Sequence, residues 1–159
     1  MTALKIISTI VENKPGVLFR VSNMIRRRGF NIESITVGTI DHKDVSRMTL
    51  TLRGDDATVE QVVKQLIKLI DVLEAKVFTP EEVTARELVL IRLAPEAKTQ
   101  IATDALKDAR LVDTSPGSIT LELTGGPEVI EQFVQRVGSS NILGLARTGV
   151  TALPRGDRV

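Results

Sequence analysis

The sequence predicts an α+β protein made of two consecutive units of β-α-β-β-α-β order, and three observations lead there. Over residues 1–79 the apolar residues switch between a period of two and a period near 3.6 in that order. After a short break at Thr79–Thr84 the same succession begins again, which divides the chain into domains 1–79 and 80–159. At 159 residues, with 42% hydrophobic and 26% charged side chains, the composition is that of a soluble globular chain able to bury a core without staples.

Residues 4–11 alternate, with Leu4, Ile6, Ser8 and Ile10 on one face and Lys5, Ile7, Thr9 and Val11 on the other. Apolar residues on both faces predict a central strand. The turn Glu12–Gly16 follows, and then Val17, Leu18, Val21, Met24 and Ile25 recur at helical spacing. Arg26-Arg27-Arg28 falls in the last turn of that helix, where cations favour the dipole, and Gly29 stops it. Residues 31–40 form the second strand, Asp41–Asp44 turn the chain, and residues 45–53 alternate as the third strand. Met48, Leu50 and Leu52 face one way there, and Arg47, Thr49, Thr51 and Arg53 the other. Thr58-Val59-Glu60-Gln61 has the spacing of a capping box and opens a helix with Val59, Val62, Val63, Leu66, Ile67 and Ile70 on its apolar face. Residues 72–78 are a fourth strand, ended by Thr79-Pro80. With right-handed crossovers this order folds as a ferredoxin-like sandwich, two helices on one face of a four-stranded antiparallel sheet.

The second unit repeats the plan. Residues 86–93 are a strand, Pro95 to Arg110 a weaker helix, and residues 111–115 and 118–124 a hairpin across Ser115-Pro116-Gly117. A clean helix begins near Pro127, carrying Val129, Ile130, Phe133, Val134 and Val137, and residues 142–153 close the unit as a strand.

The stretch with most chemistry is Asn13-Lys14-Pro15-Gly16, where a strand ends and a helix opens. Four orphan N–H donors and the positive end of the helix dipole make a carboxylate site. The plainer alternative is a strand-to-helix turn with Asn13 as N-cap and Pro15 pre-setting φ. Asn31 is either a polar neighbour of that site or a turn residue beside Gly29. The second unit has Ala94-Pro95-Glu96 at the corresponding place, without Asn or Gly, so a single small-molecule site belongs to the first unit.

Other chemistries find little support. No cysteine is present, which excludes disulfides and thiolate ligands, and no metal-ligand set is visible. The single histidine, His42, reads as a solvated residue of a polar hairpin loop, and Tyr and Trp are missing, so no catalytic constellation is expected. A net charge of +1 gives no reason to expect a polyanion as partner. The arginine run reads as a solvated helix end, and RNA readout on the sheet would need surface aromatics that Phe19, Phe30, Phe78 and Phe133 do not supply. No signal peptide is visible and no apolar run approaches the ~20 residues that span a bilayer. A cytoplasmic protein without membrane or nucleic-acid partners is the expectation.

The stretches ENKPGVLFRV (12–21), RRGFNIESITVG (27–38) and SRMTLTL (46–52) resemble the small regulatory subunit of acetohydroxyacid synthase, also called acetolactate synthase. QLIKLIDVLEAKV (65–77), RELVLIRL (86–93) and ARTGVTALPRGD (146–157) resemble it too, in the family's order. The resemblance implies an N-terminal ACT domain that dimerises and a non-catalytic role. It implies a separate large subunit carrying thiamine diphosphate, Mg²⁺ and FAD, which the small subunit activates and makes sensitive to valine or a related branched-chain amino acid. By motif match the effector-binding residues are Asn13, Gly16, Val17 and Leu18 of the loop, with Asn31 and Ile32 at the second strand's entry. A free-standing amino-acid-sensing ACT protein acting as a transcriptional co-regulator is the alternative.

Overall fold

Alternation of Ile7, Thr9 and Val11 with Ile6, Ser8 and Ile10 becomes the central strand of a sheet in a computed structural model that describes residues 3–40, 42–96 and 107–156. In the first unit, strand β1 (Ala3–Glu12) lies between β3 (His42–Gly54) and β4 (Val72–Phe78), and β2 (Ile32–Ile40) extends the sheet on β3. The order is β2-β3-β1-β4 and every pairing is antiparallel. Helices α1 (Val17–Arg27) and α2 (Asp56–Leu66) pack Val17, Val21, Ile25, Val59, Val62 and Leu66 against Ile7, Val11, Met48, Leu50 and Leu52. Each fully buried Ile or Leu in this layer contributes roughly 1.5–3 kcal/mol.

On the other face of the sheet the polar side chains satisfy one another. Ser34 Oγ lies 2.6 Å from Thr51 Oγ1, and Arg47 donates to Ser8 Oγ at 2.8 Å. No buried side-chain nitrogen or oxygen lacks a partner among the described residues.

In the second unit β5 (Val83–Leu93), β6 (Arg110–Ser115), β7 (Ser118–Gly125) and β8 (Ile142–Arg147) stand in the order β6-β7-β5-β8. This is the plan of the first sheet with the strands renumbered. Helix α3 (Pro127–Val137) buries Ile130, Phe133 and Val137 against Val89, Ile91, Leu121 and Leu123. The α+β, ferredoxin-like fold expected from the pattern is therefore present.

Several local expectations change. β3 begins at His42 rather than Val45, so the hairpin is tighter than a polar Asp41–Asp44 loop, with Ile40 paired to His42; the His42 side chain lies outside the described residues. Thr58 is not the cap of α2: Asp55 is, accepting the Thr58 N–H at 2.9 Å. An extra acceptor upstream captured the donor first. The helix also ends at Leu66, which leaves Ile67 and Ile70 exposed.

The closing strand is two strands. Gly149 takes φ +83° and separates β8 from β9 (Thr151–Pro154). From Val150 onward the chain belongs to the first unit, and the boundary between the units falls after Thr84, so neither the 79/80 division nor a contiguous 80–159 domain describes the contacts. Val150 N–H donates to Ser34 Oγ at 3.3 Å, and Arg155 donates to the carbonyls of Glu82 and Val83. Most of the helix expected over Pro95–Arg110 lies outside the described residues, and Arg110 itself opens β6.

Candidate functional site

The turn before α1 is tied at its entry by main-chain bonds. Glu12 N–H donates to the Asp71 carbonyl at 2.8 Å and Asn13 N–H to the Asp44 carbonyl at 2.7 Å. Lys14 N–H returns to the Glu12 carbonyl at 3.0 Å. Pro15 then leads into Gly16, which caps the helix at φ +86°, a left-handed conformation that costs glycine little and other residues more. The alternative with Asn13 as N-cap does not occur: the cap is Gly16, and no side chain closes the helix start.

The donors at this terminus are unevenly used. Val17 N–H donates to the Lys14 carbonyl at 3.3 Å and its side chain is buried in the core. The N–H groups of Gly16, Leu18 and Phe19 find no acceptor among the described residues. No acidic residue stands in the first turn of α1 to offset the dipole. Leu18 and Phe19 add exposed apolar surface beside these donors, Phe19 being 69% exposed. Lys14 pairs with Glu12 at 2.7 Å, and the Glu12 hydrogen bond raises the Lys14 pKa above its ordinary value.

Asn31 and Ile32 sit elsewhere. They line an open cleft of about 420 Å³ along the outer side of α1, together with Phe19, Asn23, Arg26 and Phe30. Arg26 donates to Asn23 Oδ1 at 3.2 Å along the α1 wall of this cleft. Asn13, Gly16, Val17 and Leu18 do not line this cleft. An 11-residue helix separates the two groups, a rise of about 16 Å, far more than the length of one amino acid. Within one chain the six expected residues therefore fall into two groups, at opposite ends of α1.

Arg20 and Asp71 form a pair that no sequence pattern marks. Arg20 Nε donates to Asp71 Oδ2 at 2.6 Å, and Asp71 is buried. No local spacing links positions 51 apart, so only the fold could reveal the pair. No cluster of three or more His, Cys, Asp or Glu that could hold a metal occurs among the described residues. No described helix is long and apolar enough to cross a membrane.

Comparison with known proteins matches both halves of the chain. Residues 7–74 match the family model described as an AHAS small subunit-like ACT domain, and residues 86–156 match that of the small subunit of acetolactate synthase. The chain is 47% identical to the probable acetolactate synthase small subunit of Archaeoglobus fulgidus, over 96% of this chain and 97% of that protein. Identity to the corresponding protein of Methanothermobacter thermautotrophicus is 43%, over 96% and 94%. The crystal structure of the acetolactate synthase small subunit from Thermotoga maritima superposes with a TM-score of 0.87 at 34% identity, over 97% of this chain and 98% of that one.

Proposed function

The chain belongs to the family of acetolactate synthase small subunits, and from that premise we propose that it is the non-catalytic regulatory partner of an acetolactate synthase catalytic subunit. It activates that subunit and makes it sensitive to valine or a related branched-chain amino acid. The thiamine diphosphate, Mg²⁺ and FAD of the reaction belong to the catalytic subunit.

The observation that carries the effector reading is the start of α1, where Gly16, Leu18 and Phe19 hold out N–H groups with neither a capping side chain nor an acid beside them. An amino acid's carboxylate satisfies those donors and gains from the dipole. Its branched side chain meets the apolar surface of Leu18 and Phe19, and its ammonium needs oxygen acceptors of the kind Asn31 offers.

The placing of the two groups at opposite ends of α1, about 16 Å of helix, supports a site completed by a second copy. Among the described residues β2 has a single strand neighbour, β3, so its other edge is available for pairing between copies. An effector bridging two chains biases how they meet. Coupling of ~1–3 kcal/mol is enough to change the catalytic subunit's behaviour several- to about a hundred-fold.

The direct test is co-purification with a catalytic subunit and assay of acetolactate formation with and without valine, leucine and isoleucine. Stimulation by this chain and inhibition by at least one amino acid are expected; neither occurring would sink the proposal. Gly16→Asp sharpens it. Asp tolerates positive φ better than most residues, so the variant should fold, place its own carboxylate at the donors and abolish inhibition. Unchanged inhibition in a folded Gly16→Asp protein would remove the turn from the site.

A further inference from the structure

Asp71 grips both sides of the turn between β1 and α1. Its main-chain carbonyl accepts the N–H of Glu12, the last residue of β1, at 2.8 Å. Its carboxylate takes Arg20, on the first turn of α1, at 2.6 Å. The intervening residues 13–16 are thus clamped from one point on the approach to β4.

The same contact aims the guanidinium. With Nε on Asp71, the far end of Arg20 folds back over the helix start, so that a Cβ built on Gly16 would stand 3.0 Å from Nη1. Arg20 N–H donates to the Gly16 carbonyl at 3.0 Å, which fixes the backbone beneath. Nη1 and Nη2 have no acceptor among the described residues. A positive charge with spare donors therefore stands beside Gly16, at the helix start where the N–H groups of Gly16, Leu18 and Phe19 are free. The Asp71 side chain is only 8% exposed, so it is better placed to hold Arg20 than to meet a ligand itself.

We propose that Arg20 and Asp71 are a positioning pair for effector binding: Asp71 sets the turn and holds the Arg20 guanidinium where it receives the ligand's carboxylate. The proposal rests on reading this turn as the carboxylate-binding half of the effector site. Arg20 adds charge-assisted hydrogen bonds to those of the main chain, and its planar fork can serve Asp71 through Nε while presenting Nη1 and Nη2 elsewhere. A lysine cannot do both.

The test combines two measurements on the full chain for wild type, Asp71→Asn, Arg20→Gln, Arg20→Lys and the double variant Arg20→Gln/Asp71→Asn. Calorimetric titration with valine, leucine and isoleucine reads the affinity, and the amide NMR resonances of Gly16, Leu18 and Phe19 read the turn without ligand. Asp71→Asn and Arg20→Gln should each weaken binding by about tenfold or more, with thermal midpoints within a few degrees of wild type. Losses in the double variant should fall well short of additive, because the two residues act as one unit. Arg20→Lys, which keeps the charge, should recover part of the loss.

The three amide resonances should move in Asp71→Asn even before ligand is added. Wild-type affinity or unmoved resonances in a folded Asp71→Asn protein would overturn the proposal. Should the wild type bind none of the three amino acids while the resonances still move, the turn-setting role of Asp71 stands, and the effector reading and the carboxylate role of Arg20 fall.

Discussion

Among the described residues each unit holds one buried carboxylate against one arginine, and the two pairs are used differently. In the second unit Arg147 grips Glu87 through Nε and Nη2, both at 2.8 Å, and gives Nη1 to Glu131 at 3.3 Å. Every arm of the fork is occupied, and the Glu87 hydrogen bonds push the Arg147 pKa up. In the first unit Arg20 touches Asp71 through Nε alone, and its Nη1 leans over Gly16. The difference teaches what each arginine is for. A saturated fork neutralises a buried carboxylate; a fork with two free arms beside bare helix donors can still receive an anion.

The most damaging change should be Arg147→Leu. Glu87 has a side chain only 4% exposed and would be left buried without its cation, costing about 3–5 kcal/mol of stability, read by denaturant unfolding. Arg20→Leu should cost less, about 1–2 kcal/mol, because Arg20 gives Asp71 one hydrogen bond where Arg147 gives Glu87 two, and its guanidinium is the more exposed of the two. Equal losses from the two variants would erase the distinction between a saturated and an unsaturated pair.

A smaller loss is expected from Asp55→Ala, which opens the start of α2 as the start of α1 is already open. The Thr58 hydrogen bonds hold the Asp55 carboxyl below the usual carboxylate range. Its contribution is therefore present above the unfolded value, about 3.9, and is lost as pH falls through the lower folded one. Wild type and Asp55→Ala should differ in thermal midpoint at neutral pH and converge in acid; a gap that persists to strongly acid pH would mean the cap acts through something other than its charge.

The smallest effect belongs to Ile70→Ser beside the Asp71 anchor. Ile70 is 91% exposed, so stability should stay within about 0.5 kcal/mol of wild type. A larger loss would show that this segment is held by more than Asp71.

Much of the fold was legible because it rests on short-range pattern. Met48, Leu50 and Leu52 alternate and are all buried; Ile130, Phe133 and Val137 recur at helical spacing and are all buried. The misreadings came where local signals competed. Thr58 has capping-box spacing, yet Asp55 lies three residues upstream with the stronger acceptor. Residues 142–153 look continuous until Gly149 turns the chain. Of the candidate site, the sequence located the turn and the β2 entry, but not that one helix holds them apart, nor that Asp71 and Arg20 flank the turn.

The sequence by itself determined the order of elements, the two cores and the contrast between an Asn-Lys-Pro-Gly turn in one unit and Ala-Pro-Glu in the other. These follow from residue type and spacing within a few positions, where side-chain period and backbone freedom act directly. Only the tertiary structure decided that residues from Val150 onward return to the first unit, that Glu87 meets Arg147, and that Asp71 meets Arg20. Those partners are 60 and 51 positions apart; β5–β8 register brings the first pair together, and the packing of α1 beside the approach to β4 the second. The turn that the sequence marked as a carboxylate cradle has Arg20 in its own helix, and Asp71, which only folding brings to it, holds that guanidinium.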